Sequence, residues 1–521
     1  MMKVLRKTQS LCPECLNVLD AEVFERDGKV WIRKNCGKHG DFEELYWGSY
    51  EMYKKAGRFA CDGKGISNPN TEFGGCPQSC GLCKLHKSHT CLGNIAVTNR
   101  CDLTCWYCFF FAEKAGYVYE PSLEQIRQML RNLRNEKPVP ANAVQLTGGE
   151  PALREDIIDV IKLCREEGFD HIQLNTNGIR LAMDESFAGE IRKAGVDTLY
   201  LSFDGTSEKT NPKNHWEIPR ALENCRKAGI GVVLVPTVIG GVNDHEVGEI
   251  VKFALRNVDV IRGVNFQPVS LVGSMPRKER KRYRITIPDV IKRIEEQAGF
   301  VKSGDWYPVP TVSSVTHIVE ELTERPHYEL SAHFACGMAT YLFKDGDRII
   351  PVTDFVDVEG LMKFLEERAD KLRGGKSRVV EGLKLLAKIK SFIDKEKQPS
   401  NISFGKMLFN ALVKHDYSAL GEIHYNSLFL GIMHFQDLYN YDIQRVQRCV
   451  IHYATPDPER PIVPFCAFNV IPQWYRDRIQ KEHSISITEW EEKTGKKLKG
   501  DLYKRDIAKL KAEPVYRKVY G

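Results

Sequence analysis

Cys101-Asp-Leu-Thr-Cys105-Trp-Tyr-Cys108 follows directly on Asn94-Ile-Ala-Val-Thr98, an apolar run that predicts a short strand. Three thiols spaced three and then two residues apart in one loop suit a single iron–sulfur cluster. Three protein ligands on a four-iron cluster leave one iron open to a small molecule. The fold must therefore end a strand where the cluster begins and use other parts of the chain to wall in the open iron.

The remaining cysteines extend this logic. The chain has 16 cysteines in 521 residues, 13 of them before residue 226, and Met1-Met-Lys-Val-Leu-Arg-Lys is no secretory leader, so metal is expected rather than disulfides. No window approaches the roughly 18 apolar residues of a membrane span. A cytoplasmic protein is expected, with at most peripheral membrane contact. The net charge of +6 is thinly spread and gives no reason to expect a nucleic-acid partner. This length predicts two to four domains, with boundaries expected at 1–56, 57–94, 95–275 and 276–521.

Cys12-Pro-Glu-Cys15 and Cys36-Gly-Lys-His39 are two x2-spaced pairs around strand-like sequence, the pattern of a tetrahedral metal knuckle. Zinc and a rubredoxin-like single iron both suit Cys12, Cys15, Cys36 and His39. Cys76-Pro-Gln-Ser-Cys80-Gly-Leu-Cys83 repeats the C-x3-C-x2-C spacing, and Cys91 offers a fourth thiolate for an auxiliary [4Fe-4S] cluster. Cys336, Cys449 and Cys466 are expected to hold a second auxiliary [4Fe-4S] cluster, with its fourth ligand unnamed. Cys164 and Cys225 sit on apolar helix faces and are expected in the core.

From Leu103 to Val269 short apolar runs alternate with amphipathic helical segments, which predicts a parallel α/β fold. Strands are expected at Ala143–Thr147, His171–Thr176, Thr198–Phe203, Val232–Thr237 and Val264–Pro268. The triplet spacing, with Tyr107 just before its last cysteine, resembles the radical S-adenosylmethionine (SAM) enzymes. That resemblance implies a partial (β/α)6 barrel, SAM on the open iron, its reductive cleavage to a 5′-deoxyadenosyl radical, and a low-potential electron donor of ferredoxin or flavodoxin type. It also implies that Gly148, Gly149 and Glu150 contact the SAM amino group. Asn175, Asn177, Ser202 and Asp204 then reach its carboxylate, ribose or sulfonium region, and Thr237 and Gln267 its adenine or ribose side. Taken singly, each of these polar residues also suits an ordinary turn.

The full layout is thus an N-terminal knuckle, an auxiliary iron–sulfur segment, a partial barrel and a mixed α+β C-terminal region. Arg277–Arg284 is expected to form a solvated helix face. Amphipathic segments at Leu361–Leu372 and Val379–Ile393 are expected to pack on the core. Along Gly75–Glu150 and Val463–Asn469 the chain resembles the archaeal tetraether lipid synthases. The implied reaction joins terminal carbons of isoprenoid chains in archaeal phospholipids, with two SAM molecules per bond. It would need an apolar tunnel, with Phe109, Phe110 and Phe111 as lining residues. Two other readings fit the same residues: a radical SAM methyltransferase or related enzyme acting on a pterin or a lipid, and a non-catalytic iron–sulfur redox or sensor protein.

Overall fold

The computed structural model describes residues 2–72, 74–110, 115–407 and 427–520. Phe111 lies outside them. The chain opens on an antiparallel sheet of Lys3–Leu11, Val18–Arg26, Lys29–Cys36 and Gly40–Trp47, paired in sequence order. Helix Tyr50–Gly57, capped by the Ser49 hydroxyl on Met52 N, closes this unit. Residues 58–91, which carry Cys61, Cys76, Cys80, Cys83 and Cys91, contain no helix or strand among the described residues.

Six parallel strands follow: Leu92–Thr98, Ala143–Gly148, His171–Thr176, Thr198–Ser202, Gly231–Val235 and Ile261–Pro268. Apolar runs such as Gly-Val-Val-Leu-Val are what a sheet covered on both faces requires. The crossover helices bury one stripe each. In Leu123–Arg134 the buried residues Ile126, Met129, Leu130 and Leu133 recur at helical spacing, and Ser122 and Gln125 form a reciprocal capping box at its start. Cys164 and Cys225 are fully buried on such stripes, as expected.

Two features of the sheet depart from the sequence expectation. Residues beyond 275 add strands to both of its edges. Ser427–Met433 pairs in parallel with Ile261–Pro268, and Gly337–Asp345 lies antiparallel on Ser427–Met433. At the other edge Ile451–Ala454 pairs in parallel with Leu92–Thr98, and Ile462–Pro464 returns antiparallel to it. The basic run is also not a solvated face throughout. The Arg284 side chain is buried, with its guanidinium 2.6 Å from Asp437 Oδ2 and 3.5 Å from Glu44 Oε1.

The amphipathic segments form helices Val358–Arg373 and Arg378–Lys388, whose apolar residues pack with Phe343, Ile350 and Phe355. The N-terminal sheet docks on residues 438–442. Asp442 accepts from Thr8 Oγ1 (2.7 Å), Tyr46 OH (2.9 Å) and Arg6, while buried Lys34 donates to Leu438 O (2.7 Å) and Ser10 Oγ (2.9 Å). Among the described residues no helix is long and apolar enough to cross a membrane.

Candidate active site

The Cys101 loop is held by the strand beside it. Gly148 has φ +145°, and a Cβ there would fall 2.0 Å from Thr98 O. A Cβ on Gly149 would fall 2.1 Å from Arg100 O. Only glycines let the end of Ala143–Gly148 close this tightly on the chain just before Cys101. Gly149 N then donates to Thr98 O (2.9 Å) and Glu150 N to Arg100 O (2.7 Å). The glycine motif thus builds the cluster loop as well as facing the cavity.

Four residues expected on SAM use polar atoms on the scaffold, Asn175 by donating from Nδ2 to Thr147 Oγ1 (3.2 Å). The buried Glu150 carboxylate accepts from Ala152 N (3.0 Å), Thr176 Oγ1 (2.7 Å) and Asn177 N (2.7 Å). Burial, and then the nearby Asp102 carboxylate, push the Glu150 carboxyl up to about 8. Asn177 Nδ2 donates to Asp102 Oδ1 (2.6 Å), and its Oδ1 accepts from Ile179 N (2.9 Å). Asp204 is the hub of a buried knot. It accepts from Thr237 N (2.9 Å), from Tyr107 OH and from Lys213 Nζ (2.7 Å), and Lys213 also donates to Tyr107 OH (2.9 Å). Tyr107 therefore ties the cysteine loop to the strand end at Asp204.

Cys101, Cys105 and Cys108 open into one cavity of about 1260 Å3, mouth included. Tyr107, Gly148, Gly149, Glu150, Asn175, Asn177, Ser202, Thr237 and Gln267 share its wall, so every residue expected on SAM lines it except Asp204, which sits behind Tyr107 and Lys213. Thr147 and Lys213 line it too, as do Phe435, Gln436, Phe465, Cys466 and Asn469. The Phe435 and Phe465 rings stack at 4.1 Å. Phe109 and Phe110 also line this cavity. Lys213 and Gln436 carry no motif that would have singled them out.

Burial pushes the Cys105 thiol up to about 11 and the Cys101 thiol well above its usual range. Such thiols are neutral when free and lose their proton to solvent on binding a metal as thiolates. Three thiols converging on one cavity, beside the polar side chains of Asn175, Ser202, Thr237 and Gln267, fit a cluster carrying SAM.

At the N-terminal knuckle the ligand atoms of Cys12, Cys15, Cys36 and His39 all lie within 4.8 Å of one another. His39 Nδ1 is 3.5 Å from the sulfurs of Cys12 and Cys36, and the Cys15 and Cys36 sulfurs are 3.9 Å apart. This set suits one tetrahedral ion. The other cysteines group differently from their spacing. Cys80 lies within electrostatic reach of Cys76, Cys83, Cys449 and Cys466, and Cys449 and Cys466 within reach of Cys336. Cys91 bonds the backbone elsewhere. Its thiol donates to Glu329 O (3.1 Å), and its charged neighbours are Glu136, Glu329 and Lys64. The chain turns into the strand Leu92–Thr98 immediately after Cys91, which holds it at that strand's start.

Residues 95–254 match the Radical SAM superfamily model, and residues 4–48 match the HMPTM N-terminal zinc ribbon domain. The parallel sheet, the cysteine triplet and this match define a radical SAM enzyme. Over 497 residues the chain is 47% identical to 7,8-dihydro-6-hydroxymethylpterin dimethyltransferase of Methanocaldococcus jannaschii, covering 93% of this chain and 97% of that one. The chain belongs to that family. A probable GTP 3′,8-cyclase of Archaeoglobus fulgidus is 34% identical over 168 residues, covering 30% of this chain and 53% of its own. The crystal structure of Streptococcus suis SuiB aligns with 40% of this chain and 46% of its own, at 18% identity and a TM-score of 0.33. The relative that spans the chain is named for methyl transfer to a pterin. It overturns the tetraether lipid synthase reading, and with it the coupling of isoprenoid chains and the phospholipid substrate.

Proposed function

We propose that the chain is a radical SAM methyltransferase acting on a reduced pterin, 7,8-dihydro-6-hydroxymethylpterin or a close analogue. The observation that carries this reading is the 47% identity over almost the whole of both chains. The cavity is in keeping with it. Gln436 and Asn469 place side-chain amides there, with Asn469 Oδ1 buried without a partner, beside the stacked Phe435 and Phe465. A flat heteroaromatic ring with donors and acceptors along its edge would bond these amides and lie against the aromatic pair.

Cys101, Cys105 and Cys108 would hold the [4Fe-4S] cluster, and SAM would lie along Gly148–Glu150, Asn175, Ser202, Thr237 and Gln267. Bound together, these groups supply a 5′-deoxyadenosyl radical able to take a hydrogen atom from an unactivated carbon. The chain's own residues do the rest. Gly148 and Gly149 fix the cysteine loop, while Lys213 neutralises Asp204 and steadies Tyr107. Apolar side chains such as Val235, Val269 and Val272 keep water from the reacting carbon.

Cys76, Cys80 and Cys83 are assigned to one auxiliary iron–sulfur centre and Cys336, Cys449 and Cys466 to a second. Zinc is assigned to the N-terminal knuckle, in line with its zinc-ribbon match. A ferredoxin- or flavodoxin-type protein is the electron source.

The test is anaerobic turnover of reconstituted enzyme with reductant, SAM and 7,8-dihydro-6-hydroxymethylpterin, read by mass spectrometry. Pterin carrying one or two added methyl groups supports the reading. Formation of 5′-deoxyadenosine with the pterin recovered unmethylated rejects it.

A further inference from the structure

We propose that His434 is the fourth protein ligand of the iron–sulfur centre assigned to Cys336, Cys449 and Cys466. The proposal rests on that assignment and completes its ligand set.

The strand register places the two residues together. Gly337–Asp345 and Ser427–Met433 are antiparallel, with Gly337 opposite Met433. His434 N donates to Cys336 O at 3.0 Å, so the pairing continues one residue further. Residues directly opposite on antiparallel strands project to the same face, with Cβ atoms about 4.5–5.5 Å apart. Cys336 and His434 therefore share a face, and Cys449 and Cys466 lie within electrostatic reach of Cys336.

Two independent observations indicate that something belongs between them. His434 is 2% exposed, its ring lies against the Val269 backbone, and a ring nitrogen is left without a hydrogen-bond partner. Buried polar side chains are almost always bonded, so an imidazole nitrogen left orphaned calls for a ligand. The second is Arg445, also 2% exposed. Its Nε points to Cys336 Sγ at 3.4 Å and a terminal nitrogen donates to His434 O at 2.7 Å. Among the described residues no carboxylate pairs with it. A buried guanidinium without a carboxylate needs another anion, and thiolates on a sulfide-bridged cluster supply one.

The neighbourhood agrees. Cys336 and Cys449 are only half-buried although Ala335, Gly337 and Val450 around them are buried. In the knuckle all four ligand atoms lie within 4.8 Å, as one ion requires. A four-iron cluster carries its ligands on separate corners and holds them farther apart.

The experiment uses full-length protein with Cys76, Cys80, Cys83, Cys101, Cys105 and Cys108 replaced by alanine, reconstituted anaerobically. Samples are prepared with natural-abundance and with 15N-labelled histidine. Iron and sulfide analysis counts the remaining cluster, and pulsed EPR of the reduced state reads nitrogen coupling. The proposal expects one four-iron cluster with a strongly coupled nitrogen that responds to the 15N label. Adding His434→Cys should abolish that coupling and keep the iron. Should the six replacements unfold the chain, the difference between otherwise unaltered 15N-labelled protein and its His434→Cys variant reads the same coupling. An intact cluster without histidine nitrogen removes His434 from the ligand set and leaves the centre standing. Iron no greater than the knuckle can hold, with no inorganic sulfide, overturns the centre itself and His434 with it.

Discussion

Gly149→Ala should disable SAM cleavage without touching a cysteine. A methyl there would sit 2.1 Å from Arg100 O, more than an ångström short of ordinary contact, and what it meets is backbone. Either the end of the Ala143–Gly148 strand or the Arg100 carbonyl must retreat, and Arg100 directly precedes Cys101. The retreat breaks the 2.7 Å bond from Glu150 N to Arg100 O. That loss costs about 1 kcal/mol and the overpacking about 1–3 kcal/mol, so a destabilisation of about 2–4 kcal/mol is expected. A displacement of about 1 Å at a reacting centre costs about 100-fold in rate. The assay is the rate of 5′-deoxyadenosine formation at saturating SAM, with far-UV circular dichroism to confirm the fold. Gly189→Ala is the control, since a Cβ at Gly189 in helix Phe187–Ala194 meets nothing within 4 Å. It should leave the rate unchanged. A Gly149→Ala enzyme within threefold of the parent rate would refute the role assigned to the glycine pair.

Lys213→Met strands the buried Asp204 carboxylate, which should cost about 3–5 kcal/mol in denaturant unfolding; Asp204→Asn added to it should recover most of that. His317 bridges Glu329 Oε1 (2.6 Å) and Glu366 Oε2 (2.8 Å), and these carboxylates raise its pKa from 6.5 to about 9 against the opposing effect of burial. A raised histidine pKa stabilises the fold fully below about 6.5 and loses that stabilisation as pH rises through about 9. The pH dependence of unfolding should therefore lose a component of about 2–3 kcal/mol across that window in His317→Gln. Cys36→Ser should release the knuckle metal, seen as loss of one metal equivalent by elemental analysis, while acid-labile sulfide stays constant.

Much of the site was legible because its signals are local. The triplet, the strand before it, the Gly-Gly-Glu and the polar strand ends depend on short spacings and on alternating strand and helix periods. Convergence from distant chain was not legible. Cys91 lies only eight residues after Cys83 and reads as its partner, yet folding carries it to Glu329 and brings Cys449 and Cys466 towards Cys80. Strands Ser427–Met433 and Ile451–Ala454 join opposite edges of the barrel sheet, a pairing set by topology that no local pattern encodes. Lys213, Gln436 and Asn469 reach the cavity from loops and a short helix for the same reason. Asp204 was found by its position at a strand end, but the side chain bonds Lys213 and Tyr107 rather than facing the cavity. The substrate class was the least legible of all, because an apolar wall with a few buried amides accepts many ligands, and a near full-length relative was needed to choose among them.

The central claim is that radical generation at Cys101, Cys105 and Cys108 serves a pterin bound in the same cavity. It is tested most directly by measuring 5′-deoxyadenosine formation with and without 7,8-dihydro-6-hydroxymethylpterin. The account predicts that the pterin accelerates SAM cleavage, that methylated pterin accumulates alongside 5′-deoxyadenosine, and that Cys101→Ala abolishes both. SAM cleavage at the same rate whether or not the pterin is present, with no methylated product, would contradict it.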